Sequence, residues 1–276
     1  MIQLWKLYEN GKWVEPFLIV SICLFVGVSV VLYLLIIESR NRKIKREKLR
    51  AEYRTKIEKL MFSVVFQNVS FLEVEENREY MALWDVYLFR KVMTESILDL
   101  HKNYEGIYAQ KLEQFYKESG LINTSFKKLK SLKWEIKCKG ITELAEMNVV
   151  EAFDKMIALS KARNKALKII AINACIKLAG TKGIVHLTTH PHPIDDWTQL
   201  NIIAAFKKHD IGDTKGVELL LESQNTTVVT LGLKLIKELR LTQKLKYVEQ
   251  LINRAPNASL KYEAQSVLQM LSVITI

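Results

Sequence analysis

The chain has 276 residues, of which 49% are hydrophobic and 26% are charged, a composition typical of a folded protein rather than a disordered one. Only 10 glycines and 4 prolines are present, which disfavours a sheet rich in tight turns and favours helices. The formal net charge of +11 first suggests a nucleic-acid-binding protein, but residues 38–60 alone contain ten basic and four acidic residues. More than half of the excess positive charge therefore lies in one short segment.

Residues 16–37 form a continuous apolar run without a single charged side chain. As an α-helix this run would be about 33 Å long, enough to cross the roughly 30 Å hydrocarbon core of a bilayer. A cleaved signal peptide would have an apolar core of about 7–15 residues followed by a small-residue cleavage site. This run is longer and ends at Glu38, so the sequence predicts a transmembrane helix.

Basic residues follow the predicted span closely. Those nearest to it are Arg40, Arg42, Lys43, Lys45, Arg46, Lys48 and Arg50. Because Lys and Arg beside a span are retained on the cytoplasmic face, we expect a single-pass protein of the inner membrane, with residues 1–15 outside and the remainder in the cytoplasm. The same residues are candidate contacts for anionic lipid headgroups, or they only set the topology.

Apolar residues at helical spacing predict that a basic juxtamembrane helix occupies residues 38–66. Residues 67–79 lose this periodicity and contain four glutamates, which predicts an acidic connector facing the basic segment. Helical patterns resume over 80–103 and after Gly106, with Gly120 at a helix C-cap and residues 123–125 capping the next helix. Residues 67–133 are therefore predicted to form a helical adaptor, and they contain no catalytic motif.

The remaining half of the chain is repetitive. Five similar segments begin at Gly140, Ala171, Asn201, Gly232 and Ala264, at almost equal intervals. Each segment has the pattern of the end of an apolar helix, and a shorter helix and a turn lie between successive segments. A period of about 31 residues with two helices per unit predicts an α-solenoid of about five repeats over residues 134–276.

These units resemble short bacterial HEAT repeats, which are armadillo-like. The resemblance extends to the small residues that let neighbouring helices pack closely, namely Ala171, Ala174, Ala204, Ala205 and Ala264. The whole arrangement is similar to a family of bacterial membrane-anchored HEAT proteins, some of which accompany membrane glycosyltransferases. The resemblance implies an all-α scaffold whose protein partner belongs to a membrane complex, such as one for envelope glycan synthesis or secretion.

The second helices of the repeats carry a set of basic residues that is a candidate partner-binding face. Its members are Lys168, Lys177, Lys207, Lys208, Lys234, Lys237 and Arg240. If several of them share one face, an acidic protein segment is a suitable ligand. The alternative is an ordinary solvated face, because glutamates and aspartates are interspersed.

Histidines provide the only dense group of candidate metal ligands. His186 and His190 have the i, i+4 spacing of two ligands on one helix face, and His192 follows. The glutamate of an HExxH motif is absent, and prolines beside the histidines indicate a turn. We therefore predict no metal and no cofactor, and we assign Asp195 or Asp196 as the N-cap of the next helix.

No sequence motif indicates catalysis. There is no Gly-rich phosphate loop and no nucleophile elbow, and Cys138 and Cys175 have the surroundings of small core residues. The sequence thus favours a non-catalytic, membrane-anchored scaffold that presents a cytoplasmic repeat surface to a protein partner. The alternatives are an enzyme or nucleic-acid-binding protein with a HEAT fold, which membrane tethering disfavours, and a sensor that responds to anionic lipid.

Overall fold

The computed structural model describes residues 14–208 and 214–272, apart from the side chain of Lys208. Within these ranges the regular structure is helical and no strand occurs, as the composition predicts. The α-helices are α1 (Val14–Phe66), α2 (Phe71–Glu76), α3 (Arg78–Trp84), α4 (Tyr87–His101), α5 (Ile107–Glu118), α6 (Leu121–Leu129), α7 (Trp134–Glu146), α8 (Phe153–Ser160), α9 (Lys165–Ala179), α10 (Lys182–Val185), α11 (Asp196–Lys208), α12 (Thr226–Glu238), α13 (Leu245–Arg254) and α14 (Ala258–Ser272). Short 3₁₀ helices span Val150–Ala152, His186–Thr189, Val217–Glu222 and Thr242–Lys244.

Helix α1 is continuous over 53 residues and includes both the predicted span and the predicted juxtamembrane helix. Its apolar part is not buried in the protein, and its first buried residue is Tyr53. Within the described ranges it is the one helix with the length and composition of a membrane span or a signal sequence. Most of the predicted external segment 1–15 lies outside the described residues.

The acidic connector is more ordered than predicted, because it contains the short helix α2. Ser70 and Glu73 form a capping box in which each side chain bonds to the backbone of the other residue. The S-x-x-E pattern of residues 70–73 is the sequence signal that indicates the start of this helix. The predicted contact with the basic segment is present, since Lys56 Nζ lies 2.5 Å from Glu79 Oε1 and this contact lowers the pKa of Glu79.

Two predicted boundaries in the adaptor are wrong. The pattern over 80–103 is divided between α3 and α4, because Val86 has an extended backbone that starts a new helix. Residues 123–125 lie inside α6 instead of capping it. Gly120 is the predicted terminator of α5, but with φ of 71° it also turns the chain directly into α6, so no other cap is needed.

The repetitive half contains long helices that begin at regular intervals. Helices α7, α9, α11, α12 and α14 begin about 31 residues apart, a period typical of helical repeats, and each packs on the next one in this order. Short helices or 3₁₀ turns separate them. Four of the five have an Asx N-cap, because a side-chain oxygen of Asn164, Asp195, Asn225 or Asn257 accepts a backbone N–H two or three residues later.

Two hydrophobic clusters form the core. The first joins residues from Tyr53 to Cys175, so it contains the end of α1, the adaptor and helices α7 to α9. The second extends from Ile172 to Leu271 and fills the later helices. The cysteines Cys138 and Cys175 are buried, as predicted, and burial raises the pKa of the Cys175 thiol to about 12. The C-terminal end of α1 is thus built into the same core as the first long helices of the repetitive half.

Candidate docking groove

A groove of about 750 Å³ lies between α4, α6 and the beginning of α7. A volume of this size is within the range of about 300–1,000 Å³ typical of ligand pockets. Five basic side chains and two acidic ones line the groove, together with apolar and hydroxyl groups. The charged members are Arg90, Lys91, Lys127, Lys128, Lys139, Glu95 and Glu143.

The floor of the groove is a fixed hydrogen-bonded network. Glu143 of α7 is only 9% exposed and accepts from Lys128 Nζ at 2.5 and 2.6 Å. Ser125 Oγ also donates to Glu143, and Tyr116 Oη donates to Ser125 Oγ at 2.7 Å. Burial raises the pKa of Tyr116, so the hydroxyl stays protonated and available as a donor. Because every member is bonded, the floor is rigid and its ion pair is already satisfied.

One wall of the groove connects to the long N-terminal helix α1. Glu95 of α4 lies 2.7 Å from Arg50 of α1, with Lys91 Nζ further away at 3.9 Å. Tyr53 packs edge-on against Phe89 on the same pair of helices, with ring centroids 5.3 Å apart. The groove is therefore held in a fixed position relative to the end of α1 that enters the core.

The rim of the groove is basic, and its cations are unpaired. Arg90, Lys127 and Lys139 form no side-chain ion pair or hydrogen bond with any residue in the described ranges. Beside them, Tyr87 is 64% exposed and Ile136 is 37% exposed. The groove thus combines free positive charge with exposed apolar surface, an arrangement that suits an anionic, amphipathic ligand.

This groove was not predicted from the sequence. Its free cations come from three helices, at positions 90, 127 and 139, and most of the groove belongs to segments in which acidic and basic residues balance. No spacing within one helix brings them together. The one sequence feature that could have indicated a basic surface here was the set of lysines over residues 127–139.

The basic residues after the apolar segment are placed as a collar around α1. Arg40, Arg42, Lys43, Lys45, Arg46 and Lys48 are exposed, and Arg50 is half-buried. Among the six exposed members one ion pair is formed, between Arg42 and Glu38 at 2.7 Å, and Arg50 pairs with Glu95 of α4. Successive helical residues are about 100° apart, so the collar surrounds the helix and does not form one face.

Three of the seven candidate partner-face residues pair with acids about one repeat away. Lys177 contacts Glu146 at 2.5 Å, Lys207 contacts Glu238 at 2.7 Å, and Lys234 contacts Asp196 at 3.0 Å. Lys168 is buried, Lys237 is half-buried, and Arg240 is exposed. The side chain of Lys208 lies outside the described residues. Much of this predicted face is therefore occupied by contacts between neighbouring helices.

The three histidines do not gather as metal ligands. His186 begins a 3₁₀ helix and His190 has an extended backbone, so the i, i+4 spacing does not place them on one face. A 3₁₀ helix turns by about 120° per residue, whereas the shared face requires α-helical geometry. His186 Nε2 lies 3.0 Å from Ser160 Oγ instead. Within the described ranges no group of three His, Cys, Asp or Glu residues could hold a metal ion.

The N-cap prediction nearby is confirmed, because Asp195 Oδ1 accepts the backbone N–H of Thr198 at 2.9 Å. The Ser160–His186 contact is not an arrangement for nucleophilic catalysis. Ser160 is fully buried, and its hydroxyl donates to the carbonyl of Ile157 at 2.7 Å. The hydroxyl proton therefore points away from the imidazole that a nucleophilic serine would need as its base.

No protein-family model and no curated protein matches the chain. Among solved structures, the chain is similar to an engineered protein determined by the Northeast Structural Genomics Consortium. The two are 17% identical over 69% of this chain and 94% of the other, with a TM-score of 0.30. A likeness of this size supports no conclusion about fold or function.

Proposed function

We propose that this protein is a membrane-anchored, non-catalytic adaptor that holds a protein partner at the membrane surface. The observation that carries the proposal is the continuity of α1. Its apolar half is not covered by the protein, whereas its other end is buried in the core of the helical domain. An apolar surface of this extent requires lipid, and the unbroken helix keeps the domain attached to it.

The regular spacing of the later helices supports an α-solenoid of HEAT-like repeats over residues 134–276. The Asx caps recur in four of the five repeats, and ion pairs such as Lys177–Glu146 join positions one repeat apart. Solenoids of this kind bury their core between units and expose an extended surface for a partner. The resemblance to membrane-anchored HEAT proteins supports a more specific version, an accessory subunit of a glycan-synthesis or secretion complex.

The exposed collar supports an orientation with the helical domain in the cytoplasm, at the inner membrane. The helical domain then lies on the same side as the collar, where a partner anchored in the same membrane has a high effective concentration. Weak individual contacts are sufficient for stable association under these conditions.

Crosslinking of the full-length protein in native membranes, followed by mass spectrometry of the linked peptides, tests this function. We expect a membrane or membrane-associated protein linked to residues 67–272. The link should persist when residues 16–37 are replaced by an unrelated apolar span of equal length, and should weaken when residues 1–37 are removed. Finding no specific partner would contradict the proposal. Loss of the crosslink when the span is replaced would show that the span itself binds the partner.

A further inference from the structure

The groove between α4, α6 and α7 shares no lining residue with the candidate partner-face lysines described above. Only part of its positive charge is used by the fold. Lys128 is neutralised by Glu143, and Glu95 is paired with Arg50 and lies 3.9 Å from Lys91. The remaining cations, Arg90, Lys127 and Lys139, are without side-chain partners in the part of the chain that the structure describes.

Next to these cations lies apolar surface. Tyr87 and Ile136 are exposed at the mouth, and Leu98 and Cys138 lie deeper. Isolated exposed apolar residues are ordinary, but here they converge with three free cations on one concave site. A ligand with carboxylates on one side and aliphatic groups on the other complements both features.

The groove has the size of a short helical segment. A helix with its side chains is about 10–12 Å wide, so about 750 Å³ holds roughly five residues, or about one and a half turns. In helix-in-groove recognition the anchoring apolar side chains lie at positions i, i+3 and i+4. A helical segment of five residues is long enough to contain these three positions.

The position of the groove along α1 favours a polypeptide over a lipid. Arg50, which pairs with the groove wall, is 13 residues beyond Ile37, or about 20 Å at 1.5 Å per residue. The headgroup layer adds only about 5–7 Å to each side of the hydrocarbon core. For an upright helix the groove is thus more than about 10 Å from the headgroups, which exceeds the screening length of about 8 Å in physiological salt. A polypeptide crosses this gap with about four extended residues.

From these observations we infer that the groove binds an acidic amphipathic segment of a protein anchored in the same membrane. Aliphatic residues of the segment at i and i+3 or i+4 face Tyr87 and Ile136. Its carboxylates face Arg90, Lys127 and Lys139. This inference rests on the adaptor function proposed above and names the site and the class of partner segment.

A selection of random peptides displayed on phage, against the full-length protein in nanodiscs of neutral lipid, tests the inference. We expect enriched peptides to carry Asp or Glu together with aliphatic residues at helical spacing. Replacing Arg90, Lys127 and Lys139 by Gln should weaken a selected peptide about tenfold, since each exposed charge contributes about twofold. The change Tyr87→Ala should also weaken it, because an exposed aromatic ring is removed. The matched control replaces Lys161, Lys182 and Lys246, which are exposed and remote, by Gln and should leave binding unchanged.

Several results would overturn the inference. These are enrichment of neutral or basic peptides, no enrichment over empty nanodiscs, and equal binding by the groove variant and the control variant. Displacement of the selected peptide by vesicles of phosphatidylglycerol would assign the groove to lipid, and displacement by an oligonucleotide would assign it to nucleic acid. If crosslinking in membranes finds a partner while the selection fails, the adaptor function stands and this site does not.

Discussion

At the scale of single residues, Gly183 shows how closely the short and long helices approach. A Cβ atom at this position would lie 2.1 Å from the backbone oxygen of Cys175. Gly140 and Gly232 each lie seven residues after the N-cap of their helix. A Cβ at these positions would lie 2.9 to 3.0 Å from atoms of the preceding α6 or 3₁₀ helix. Close approach of the neighbouring segment, and not backbone conformation, therefore favours glycine at these three positions, most strongly at Gly183.

We expect Gly183→Ala to destabilise the protein by more than about 2 kcal/mol, because a backbone oxygen cannot move aside as a flexible side chain can. The denaturant midpoint of the full-length protein in detergent measures this effect. Gly27→Ala is the matched control, since nothing lies within 4 Å of a Cβ at that position. Equal midpoints for the two variants would show that α9 and α10 are further apart than the structure places them.

One contribution to the pH dependence of stability also comes from a single residue, His186. Burial lowers its pKa to about 4 from 6.5, although a backbone hydrogen bond with Gly183 acts in the opposite direction. Below about pH 6.5 the unfolded chain binds a proton that the folded chain excludes until about pH 4. Stability should therefore fall as the pH falls through this window, by up to about 1.4 kcal/mol per pH unit.

Urea unfolding between pH 7 and pH 4 measures this loss. His186→Gln should reduce the slope of the free energy of unfolding against pH. His192→Gln should leave this slope unchanged, because His192 is exposed. A slope that is unchanged in the His186 variant would assign the pH dependence to other groups.

At the scale of elements, Asn225 links two consecutive units of the repetitive half. Its Oδ1 atom caps α12 through the N–H of Thr227 at 3.1 Å, and its Nδ2 atom donates to the carbonyls of His190 and His192 at 3.1 and 2.9 Å. The capping function and the donor function are on different atoms, so two substitutions can separate them.

We expect Asn225→Ala to cost about 1–3 kcal/mol, because it removes the cap and leaves two carbonyls with fewer donors. Asn225→Asp should cost less, because it keeps the capping oxygen and loses only the donor. Thermal unfolding of the two variants gives the comparison. If both variants lose the same stability, the donor contacts dominate and the cap contributes little.

The elements also show which parts of the fold could be predicted. Long periodic segments predicted the helices and their regular spacing, since apolar periodicity and turn residues act over about ten residues. Helix boundaries such as Val86 and the cap of α2 were missed because they depend on one or two local hydrogen bonds. The groove was missed for another reason, namely that Arg90, Lys127 and Lys139 meet only after three helices have packed.

At the scale of the whole molecule, the collar around α1 separates the exposed apolar segment from the helical domain. Its six exposed cations surround the helix. One of them, Arg42, forms an ion pair with Glu38, and the other five form no ion pair that would stabilise the described part of the fold. Charge that is unused in the folded structure and adjacent to an apolar helix is well placed to determine membrane orientation.

Neutralising this collar should therefore change the topology while leaving the domain folded. The variant replaces the exposed members by Gln, namely Arg40, Arg42, Lys43, Lys45, Arg46 and Lys48. Lys6 and Lys12 before the span then face only Arg50, Arg54, Lys56 and the more distant Lys59 after it, so the orientation preference should become much weaker.

Reporter fusions at the C-terminus that are active on only one side of the membrane measure the inverted fraction, which we expect to rise from near zero to a substantial share. The matched control neutralises six remote exposed cations, Lys161, Arg163, Lys182, Lys246, Arg254 and Lys261, and should keep the original orientation. Because both variants lose the same total charge, a difference between them depends on the position of the charge. If the collar variant also stays in one orientation, the orientation is set by the folded domain, which would then resist translocation regardless of flanking charge.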